Sequence, residues 1–399
     1  MNDICLSPAR PAHRQGKSTL AGPGKPDYPT PLSSMVSVLA GPGGSRSVIA
    51  TAMMWSVLDW LGIKPDRVGG ASGGAPGAAF YASGIAGKDI VRLALDNDFG
   101  KKVSFDFSAS GLVGAVKEAF KKWKLRDLPL RALISTAPLG QYVKEQTNGA
   151  WPSRFWTVCM SREARYIMSA DGVWRMNWEG EIEKVANRPP PIEDAIAATT
   201  SIPLIMHGAP CKIGDQEMVL FDGGIADPLI NQPHKDCPIE LPFLLYGRHR
   251  LIVFDVGPDL TWIGKLIGDV RGALVHNPPV PAAPSWVLED ELTTVIFCPV
   301  PDLHTLKLGP DRDCKWRILM RGFQATVESL SKSGWIEQDK LSHAQEIIER
   351  YAQISADLHA MQETAMKIRS KTLRRLRLAQ LDGMLSNQLE ELMAAHGLY

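Results

Sequence analysis

Two glycine-rich loops near the start of the chain constrain the fold more than any other feature. The loop at 41–46 follows a short apolar segment, 35–40, and precedes a run at 48–61 whose apolar residues recur every three or four positions. This spacing predicts a strand followed by a helix. Segment 66–68 predicts a second strand, the loop at 69–75 follows it, and 77–83 predicts a second helix. A right-handed crossover between parallel strands brings both loops to the same carboxyl edge of a sheet.

Further apolar runs extend this pattern along the chain. Alternation of short β-rich segments with helical ones predicts an α/β fold. Segment 262–268 is apolar and predicts a core helix or part of a lid, and the four prolines of 278–284 predict an exposed loop. The predicted strands are 154–160, 218–221, 250–255 and 293–297, and a helix is predicted at 192–200, before Pro203.

The second glycine loop contains a candidate nucleophile. Residues 70–74 read Gly-Ala-Ser-Gly-Gly, which fits the pattern G-x-S-x-G. Small neighbours permit a strained strand-to-helix turn that projects the hydroxyl of Ser72. A plain structural turn is the alternative, because the chain contains 35 glycines. The first loop favours chemistry, since Gly43 and Gly44 offer backbone N–H groups of the kind that stabilise an oxyanion.

A serine hydroxyl needs a neighbouring base before it becomes a good nucleophile. Asp222 ends the apolar run 218–221 and precedes Gly223 and Gly224, so it can reach the same sheet edge. To act as a base it needs a close hydrogen bond to the serine and restricted hydration. The tripeptide also suits an ordinary turn. A histidine base stays open as well, with four candidates after Asp222, none inside a motif: His234, His249, His276 and His304.

Two nucleotide-binding patterns are only partly present. Residues 41–43 begin like the dinucleotide fingerprint G-x-G-x-x-G, but Arg46 occupies the place of the third glycine. Residues 16–18 resemble the end of a phosphate-binding loop, but Pro11 stands where its first glycine belongs, and no strand precedes it. The sequence therefore argues against both.

The order of these pieces resembles the patatin-like phospholipase family. Segment 38–47 looks like that family's oxyanion motif D-G-G-G-x-R-G, residues 70–74 like its G-x-S-x-G, and residues 222–224 like its D-G-A/G. Segment 195–203 is similar to the helix that precedes the catalytic aspartate. The resemblance extends from residue 35 to about 334. It departs from the family at Pro42, which lacks an N–H group, and at Ser47, which replaces a glycine.

The resemblance implies a three-layer α/β/α fold with a central, mostly parallel sheet. It also implies Ser72 as the nucleophile, Asp222 as its only base, Gly43 and Gly44 as oxyanion donors, and Arg46 as a residue that positions this loop or an anionic head group. The supporting glycines are Gly70, Gly74, Gly223 and Gly224.

The implied activity is hydrolysis of lipid carboxylic esters, of the phospholipase A or lysophospholipase class, through an acyl-enzyme and without a cofactor or metal. Two alternatives stay open. One is a hydrolase of a glyceride, thioester or polyester. The other is a catalytically impaired scaffold protein.

Composition limits the partners and the compartment. The net charge of +1 gives no support for nucleic-acid binding. The six cysteines form no CxxC pair, which argues against a zinc ribbon and favours a reduced, cytoplasmic setting. The first thirty-odd residues lack the apolar core of a signal peptide, and no apolar run reaches the length of a membrane span.

The C-terminal part changes character. From Leu341 to Ile368, apolar residues recur at helical spacing, which predicts one long amphipathic helix or two. We therefore predict a flexible tail at 1–34, a catalytic domain at 35–335 and amphipathic helices at 336–399. A basic helical stretch predicts peripheral contact with a membrane, a solvated face, or a helix pair that joins two copies of the chain. Its cations are Lys367, Arg369, Lys371, Arg374, Arg375 and Arg377, with Ile368, Leu373, Leu376 and Leu381 on the other face.

Overall fold

The computed structural model describes residues 34–102, 104–105, 134–161, 163–177, 181–202, 206, 208–225, 240–247, 249–257, 292–301, 303, 307, 309–381 and 383–399. The predicted tail up to residue 33, the apolar segment 262–268, the proline-rich loop 278–284 and three of the candidate histidines lie outside these ranges. Those histidines are His234, His276 and His304.

The strands agree with the predicted ones and add several more. In chain order they are β1 (Val36–Ala40), β2 (Arg67–Gly70), β3 (Ser104–Phe105), β4 (Ile134–Ser135), β5 (Phe155–Met160), β6 (Ala164–Ser169), β7 (Gly172–Asn177), β8 (Ile182–Ala186), β9 (Ala209–Ile213), β10 (Gln216–Asp222), β11 (Arg250–Asp255) and β12 (Thr293–Phe297).

Five strands form the parallel centre of the sheet, in the order β12–β11–β1–β2–β5. Val38 in β1 is aligned with Ile252 of β11 on one side and with Val68 of β2 on the other. The predicted neighbours β1 and β2 are therefore adjacent and parallel. Their carboxyl ends bring both glycine loops to one edge of the sheet.

The rest of the sheet is antiparallel. Strands β6, β7 and β8 follow β5 in succession, and β9 forms a hairpin with β10. At its end, β10 pairs with β5, where Phe221 faces Met160 and Asp222 faces Cys159. Because β6 occupies the other side of β5 over the same residues, β10 lies on the side of β2. Strand β2 pairs with β5 only over residues 155–157, so β10 begins its pairing just beyond the end of β2.

Helices connect and cover these strands. The first begins directly after Gly44 and ends at Gly62, which adopts the left-handed conformation (φ 75°) common at helix ends. The helices are α1 (Ser45–Leu61), α2 (Ala75–Ala82), α3 (Gly87–Asp96), α4 (Ala137–Gln146), α5 (Ile192–Thr199), α6 (Glu240–Tyr246), α7 (Arg312–Lys332), α8 (Gln338–Met366), α9 (Lys371–Leu381) and α10 (Met384–Ala395).

Both faces of the sheet are buried, as expected for parallel strands. Along β1, Val38 and Ala40 contact the core beneath α1, α2, α3 and α7, whereas Leu39 belongs to a separate core on the opposite face. Helix α6 covers that second face through Leu241, and α5 packs against β5, β9 and β10 in a third cluster. The predicted α/β/α architecture is confirmed, with C-terminal helices added to it.

The C-terminal helices pack against the first layer. Leu389 of α10 lies in the same buried cluster as residues of α1 and α7. Ser56 of α1 donates a hydrogen bond to the carbonyl of Leu398 (2.8 Å), and Arg312 of α7 pairs with Glu390 (2.7 Å). The predicted domain boundary at 335–336 stays a prediction.

The basic cluster does not lie in one helical stretch. Helix α8 ends at Met366 and α9 begins at Lys371, so Lys367 and Arg369 lie in the break between them. The predicted apolar face is also divided, because Leu381 is buried whereas Leu373 and Leu376 are exposed. Leu381 belongs to the inner side of α9, and the other two leucines do not.

A histidine pair joins α8 to the end of α10. His343 Nε2 lies 2.6 Å from His396 Nδ1, so one hydrogen bond links the two rings. Desolvation, reinforced by the nearby His343, lowers the pKa of His396 below its ordinary value near 6.5. The folded state therefore binds this proton less readily than the unfolded chain does. Stability from this site is fully present above about pH 6.5, the pKa in the unfolded chain, and is lost as the pH falls from there through the lowered pKa of the folded state.

We therefore expect the variant His396→Gln to lose less thermal stability than the parent chain when the pH is lowered from about 7.5 to about 5.5. The measurement is the midpoint of thermal unfolding at several pH values. His359→Gln is the control, because its side chain is 74% exposed. Identical acid sensitivity in the parent and in His396→Gln would contradict the assignment.

Candidate active site

Ser72 lies at a sharp turn between β2 and α2. Its φ of 51° is positive, which only one other non-glycine residue, Asn148, shares among the described residues. This left-handed backbone costs about 1–2 kcal/mol for a residue with a side chain. The flanking glycines permit the turn, since a Cβ atom at Gly70 would lie 2.5 Å from the Cα of Ala75, and one at Gly74 would lie 2.6 Å from the carbonyl carbon of Ala40.

Ser72 and Asp222 meet at this turn. The hydroxyl of Ser72 donates a hydrogen bond to Oδ2 of Asp222 at 2.6 Å. Both residues are buried, with 4% and 1% of their surface exposed. The meeting follows from the topology, because β10 ends on β5 just beyond the point where β2 stops. A short hydrogen bond to a carboxylate in a site of restricted hydration is the arrangement that proton transfer needs.

His249 is far from this edge of the sheet. It precedes β11, whose first residue, Arg250, donates its backbone N–H to Met35 just before β1. His249 therefore lies at the amino ends of the parallel strands, whereas Ser72 lies beyond their carboxyl ends. Its Nδ1 is 2.7 Å from the carbonyl of Gly247, and burial lowers its pKa. Of the four candidate histidines, His249 is the one that the structure describes. It lies at the opposite end of the strands from Ser72 and cannot act as its base.

Backbone groups hold the carboxylate of Asp222 in place. Its Oδ1 accepts the N–H of Gly224 at 2.8 Å, and its own N–H donates to the carbonyl of Ser201 at 2.9 Å. Close packing explains why two glycines follow Asp222. A Cβ at Gly223 would lie 2.5 Å from the carbonyl oxygen of Val158, and one at Gly224 would lie 2.6 Å from Cβ of Pro42.

A buried thiol lies opposite Asp222. Cys159 faces it across the β5–β10 pairing. Burial raises the pKa of Cys159 well above its usual value, and the nearby Cys211 and Asp222 raise it further. The thiol therefore stays neutral and adds no second negative charge beside the carboxylate.

The first glycine loop packs directly against the serine turn. Gly43 and Gly44 have φ values of 150° and 57°, in the region that favours glycine. A Cβ at Gly73 would overlap the carbonyl oxygen of Gly44, so the two loops are in close contact. Within the described residues, neither the N–H of Gly43 nor that of Gly44 has a hydrogen-bond acceptor. Backbone N–H groups without an acceptor are of the kind that stabilise an oxyanion.

Gly73 is a donor candidate that the sequence analysis missed. In the G-x-S-x-G turn of α/β-hydrolases, the N–H of the residue after the nucleophile contributes to the oxyanion hole. Gly73 holds this position, and its N–H has no acceptor within the described part of the chain. The motif itself contained the signal that could have identified it.

Arg46 links the first glycine loop to the segment that follows the neighbouring strand. It is only 3% exposed, and one guanidinium nitrogen donates to the carbonyl of Gly257, just after β11, at 3.2 Å. Ser47, the second departure from the family motif, donates its hydroxyl to the carbonyl of Gly41 at 2.6 Å. Pro42, the first departure, packs beside Gly224. Both departures thus stabilise the loop in contact with the serine and the aspartate.

The end of α5 contacts both halves of the Ser72–Asp222 pair. Thr199 Oγ1 accepts the backbone N–H of Ser72 at 3.1 Å and donates to the carbonyl of Val158 at 2.7 Å. Two residues later, the carbonyl of Ser201 accepts the N–H of Asp222. The apolar pattern predicts this helix but not the contacts of Thr199, because a threonine near a helix end more often bonds to its own helix.

We expect Thr199→Val to lower kcat by about 10-fold or more, with a smaller change in KM. The substitution preserves shape but leaves the buried N–H of Ser72 without its acceptor, which costs about 1–3 kcal/mol and disturbs the position of the hydroxyl. Steady-state hydrolysis of a soluble ester measures both constants.

Thr200→Val is the matched control, since among the described residues the hydroxyl of Thr200 donates only to carbonyls of its own helix, at Ile196 and Ala197. Equal kinetic losses in the two variants would show that Thr199 has no special role.

Other kinds of site find little support in the described ranges. No group of three histidine, cysteine, aspartate or glutamate side chains there could hold a metal ion. No helix in the same ranges is both long and apolar enough to cross a membrane.

Comparison with known proteins agrees with the site geometry. The family described as Patatin-like phospholipase matches residues 38–230, which include Gly43, Gly44, Ser72 and Asp222. Curated protein sequences contain no match to this chain.

Two solved structures are similar over most of the chain. VipD from Legionella pneumophila is 15% identical, with a TM-score of 0.37, over 91% of this chain and 88% of VipD. ExoU from the type III secretion system of Pseudomonas aeruginosa, solved in complex with SpcU, is 13% identical, with a TM-score of 0.36, over 89% of this chain and 69% of ExoU.

Fold and site define an α/β protein with a buried serine–aspartate pair at the carboxyl edge of its parallel strands. Residues 38–230, nearly half of the chain, match the patatin-like phospholipase family. This match supports lipid ester hydrolase activity.

Proposed function

We propose that this protein is a serine acyl hydrolase that cleaves carboxylic esters of lipids, of the phospholipase A or lysophospholipase class. The observation that carries the proposal is the 2.6 Å hydrogen bond from the hydroxyl of Ser72 to Asp222, inside a buried site. A serine held this close to a carboxylate and away from bulk water can lose its proton as it attacks.

The reaction proceeds in two halves. Asp222 accepts the proton of Ser72 while Oγ attacks the ester carbonyl, and a tetrahedral oxyanion forms. The N–H groups of Gly43, Gly44 and Gly73 stabilise that charge. The C–O bond of the ester then breaks, and Asp222 returns the proton to the departing alcohol. Water, activated by the same carboxylate, hydrolyses the acyl-enzyme and regenerates Ser72.

Arg46 acts in this scheme as a positioning residue for the oxyanion loop. Its near-complete burial and its bond to Gly257 favour that role over direct contact with an anionic head group. Ser72, Asp222 and the three glycines are the groups that contact the reacting atoms, and the scheme uses no cofactor. The buried cysteines Cys159, Cys211 and Cys298, present as free thiols, are consistent with the cytoplasmic setting that we propose.

A fluorophosphonate probe tests the nucleophile directly. We expect a single covalent adduct, located on Ser72 by peptide mass spectrometry, in the folded parent chain and none on Ser72 in chain denatured beforehand. Absence of the adduct in folded protein would contradict the proposal and favour the alternative of a catalytically impaired scaffold.

Product analysis tests the substrate class. Incubation with mixed phospholipid vesicles is expected to release free fatty acid together with the matching lysophospholipid or glycerophosphodiester, identified by mass. Release from triglyceride, thioester or polyester but not from phospholipid would retain the Ser72–Asp222 chemistry and overturn the phospholipase class.

A further inference from the structure

The junction between α8 and α9 concentrates positive charge. Six lysine and arginine residues lie between positions 364 and 381, and this interval contains no aspartate or glutamate. Five of the six side chains are exposed and Arg374 is partly buried. None of them forms an ion pair with any described residue.

The same junction concentrates exposed apolar side chains. Six large hydrophobic residues are exposed in the described part of the chain, and four of them lie between positions 361 and 376. Met366 is 57% exposed at the end of α8, and Leu373 and Leu376 are 59% and 58% exposed on α9. Scattered single residues of this kind need no explanation, but a cluster indicates an interaction surface.

The packing of α9 presents these leucines on its outer side. Leu381 is 2% exposed, so the end of α9 packs against the protein. Leu373 and Leu376 are three residues apart and therefore share one face of the helix. With Met366 and the six cations, they form what we call the junction patch.

We propose that the junction patch docks on the surface of an anionic lipid bilayer. Amphipathic helices with leucines on one face and lysines or arginines around them lie in the membrane interface, where the apolar side chains enter the acyl boundary and the cations contact anionic head groups. The whole chain has a net charge of only +1, so the attraction is a property of this patch and not of the protein as a whole.

Other occupants fit these observations less well. A second copy of the chain in a twofold dimer would bring two sets of six like charges together. Nucleic acid would pair with the cations but would leave Met366, Leu373 and Leu376 without apolar contacts. An anionic bilayer offers head groups to the cations and an apolar interior to Met366, Leu373 and Leu376.

The test is co-sedimentation of the full chain with vesicles of phosphatidylcholine alone and of phosphatidylcholine mixed with phosphatidylserine. We expect binding to the anionic vesicles that weakens at high salt. Lys371→Gln, Arg375→Gln and Arg377→Gln together are expected to weaken it about 100-fold, at roughly a factor of five for each cation near an anionic surface. Leu373→Ser with Leu376→Ser is expected to weaken it about 10-fold or more.

A matched control removes the same charge elsewhere. Lys88, Lys212 and Lys332 are exposed and lie outside the patch, so their joint substitution by glutamine changes the net charge equally. We expect this variant to bind vesicles like the parent chain. Equal losses in both charge variants would overturn the proposal, and so would equal binding to neutral and anionic vesicles.

Two further outcomes would also overturn it. One is a leucine variant that binds vesicles normally but changes from a dimer to a monomer in light scattering. The other is binding of nucleic acid, but not of vesicles, through the junction patch. Vesicle binding can be measured whether or not the chain hydrolyses esters. The patch variants should hydrolyse a dispersed short-chain ester like the parent, which separates failure of docking from failure of the proposed catalytic function.

Discussion

Replacing Ser72 with alanine is expected to reduce kcat for a short-chain p-nitrophenyl ester by about 10⁴-fold or more, because no other group can form the acyl-enzyme. Asp222→Asn is expected to reduce it by about 10²–10⁴-fold. The amide of this asparagine preserves the shape of the aspartate and can still accept the N–H of Gly224, but it cannot take the proton of Ser72. Initial rates measured on purified, folded variants give both values.

Controls exist for each substitution. Ser83→Ala removes a hydroxyl that, within the described part of the chain, donates only to Ala79 of the preceding helix, and Asp215→Asn removes an exposed carboxylate at the turn before β10. Both should retain full activity. Undiminished turnover in folded Asp222→Asn would contradict the two-residue site and reopen the search for a histidine base.

The places of the candidate site residues in the fold could be predicted because three short motifs lie at ends of strands. Parallel β1 and β2 place residues 43–44 and 72 at one edge through local connections alone, so chain order and crossover handedness suffice. Asp222 is different, because its position depends on β10 reaching β5 from the opposite direction. An apolar run before Asp-Gly-Gly indicated a strand end, but only the family resemblance indicated that Asp222 would be the base of Ser72, and the pairing of β10 with β5 was not predicted.

The antiparallel part of the sheet was not predicted. The buried residues of β6 to β9 include polar ones such as Arg165, which is 2% exposed. Their turns did carry a signal: Ser169 pairs with Gly172, and Ile213 pairs with Gln216, so each hairpin has a two-residue loop. Gly214-Asp215 has a composition typical of such loops, and the dipeptide Asp171-Gly172 is a common turn signal at the end of the other loop.

The apolar pattern of the sequence did not predict the break between α8 and α9. Periodicity continues from Leu341 to Ile368 and resumes at Leu373, and no proline or glycine marks the break at 367–370. Tertiary packing decides it, since Ala365 and Leu381 are both buried on either side of the turn. Sequence reasoning could place the cations but could not tell which leucines face the protein.

Gly73→Ala is expected to lower kcat by about 10²–10³-fold while KM changes little. Its new methyl group would overlap the carbonyl oxygen of Gly44 and lie 2.8 Å from the carbonyl carbon, so the oxyanion loop has to move away from Ser72. Loss of a single oxyanion donor costs about 10²–10³-fold in comparable enzymes, and a displacement of about 1 Å can cost about 10²-fold. Steady-state kinetics on a soluble ester separate kcat from KM.

Gly84→Ala is the appropriate control for the cost of adding a methyl group. Gly84 has a φ of 91° and no atom within 4 Å of an added Cβ, so the variant bears backbone strain but no collision and lies after α2, outside the site. It should lose some thermal stability and no activity. Suppose instead that Gly73→Ala folds, reacts normally with fluorophosphonate and hydrolyses ester as fast as Gly84→Ala. That result would show that the close contact between the two glycine loops is not needed to stabilise the oxyanion. Catalysis would then have to depend on donors other than Gly43, Gly44 and Gly73.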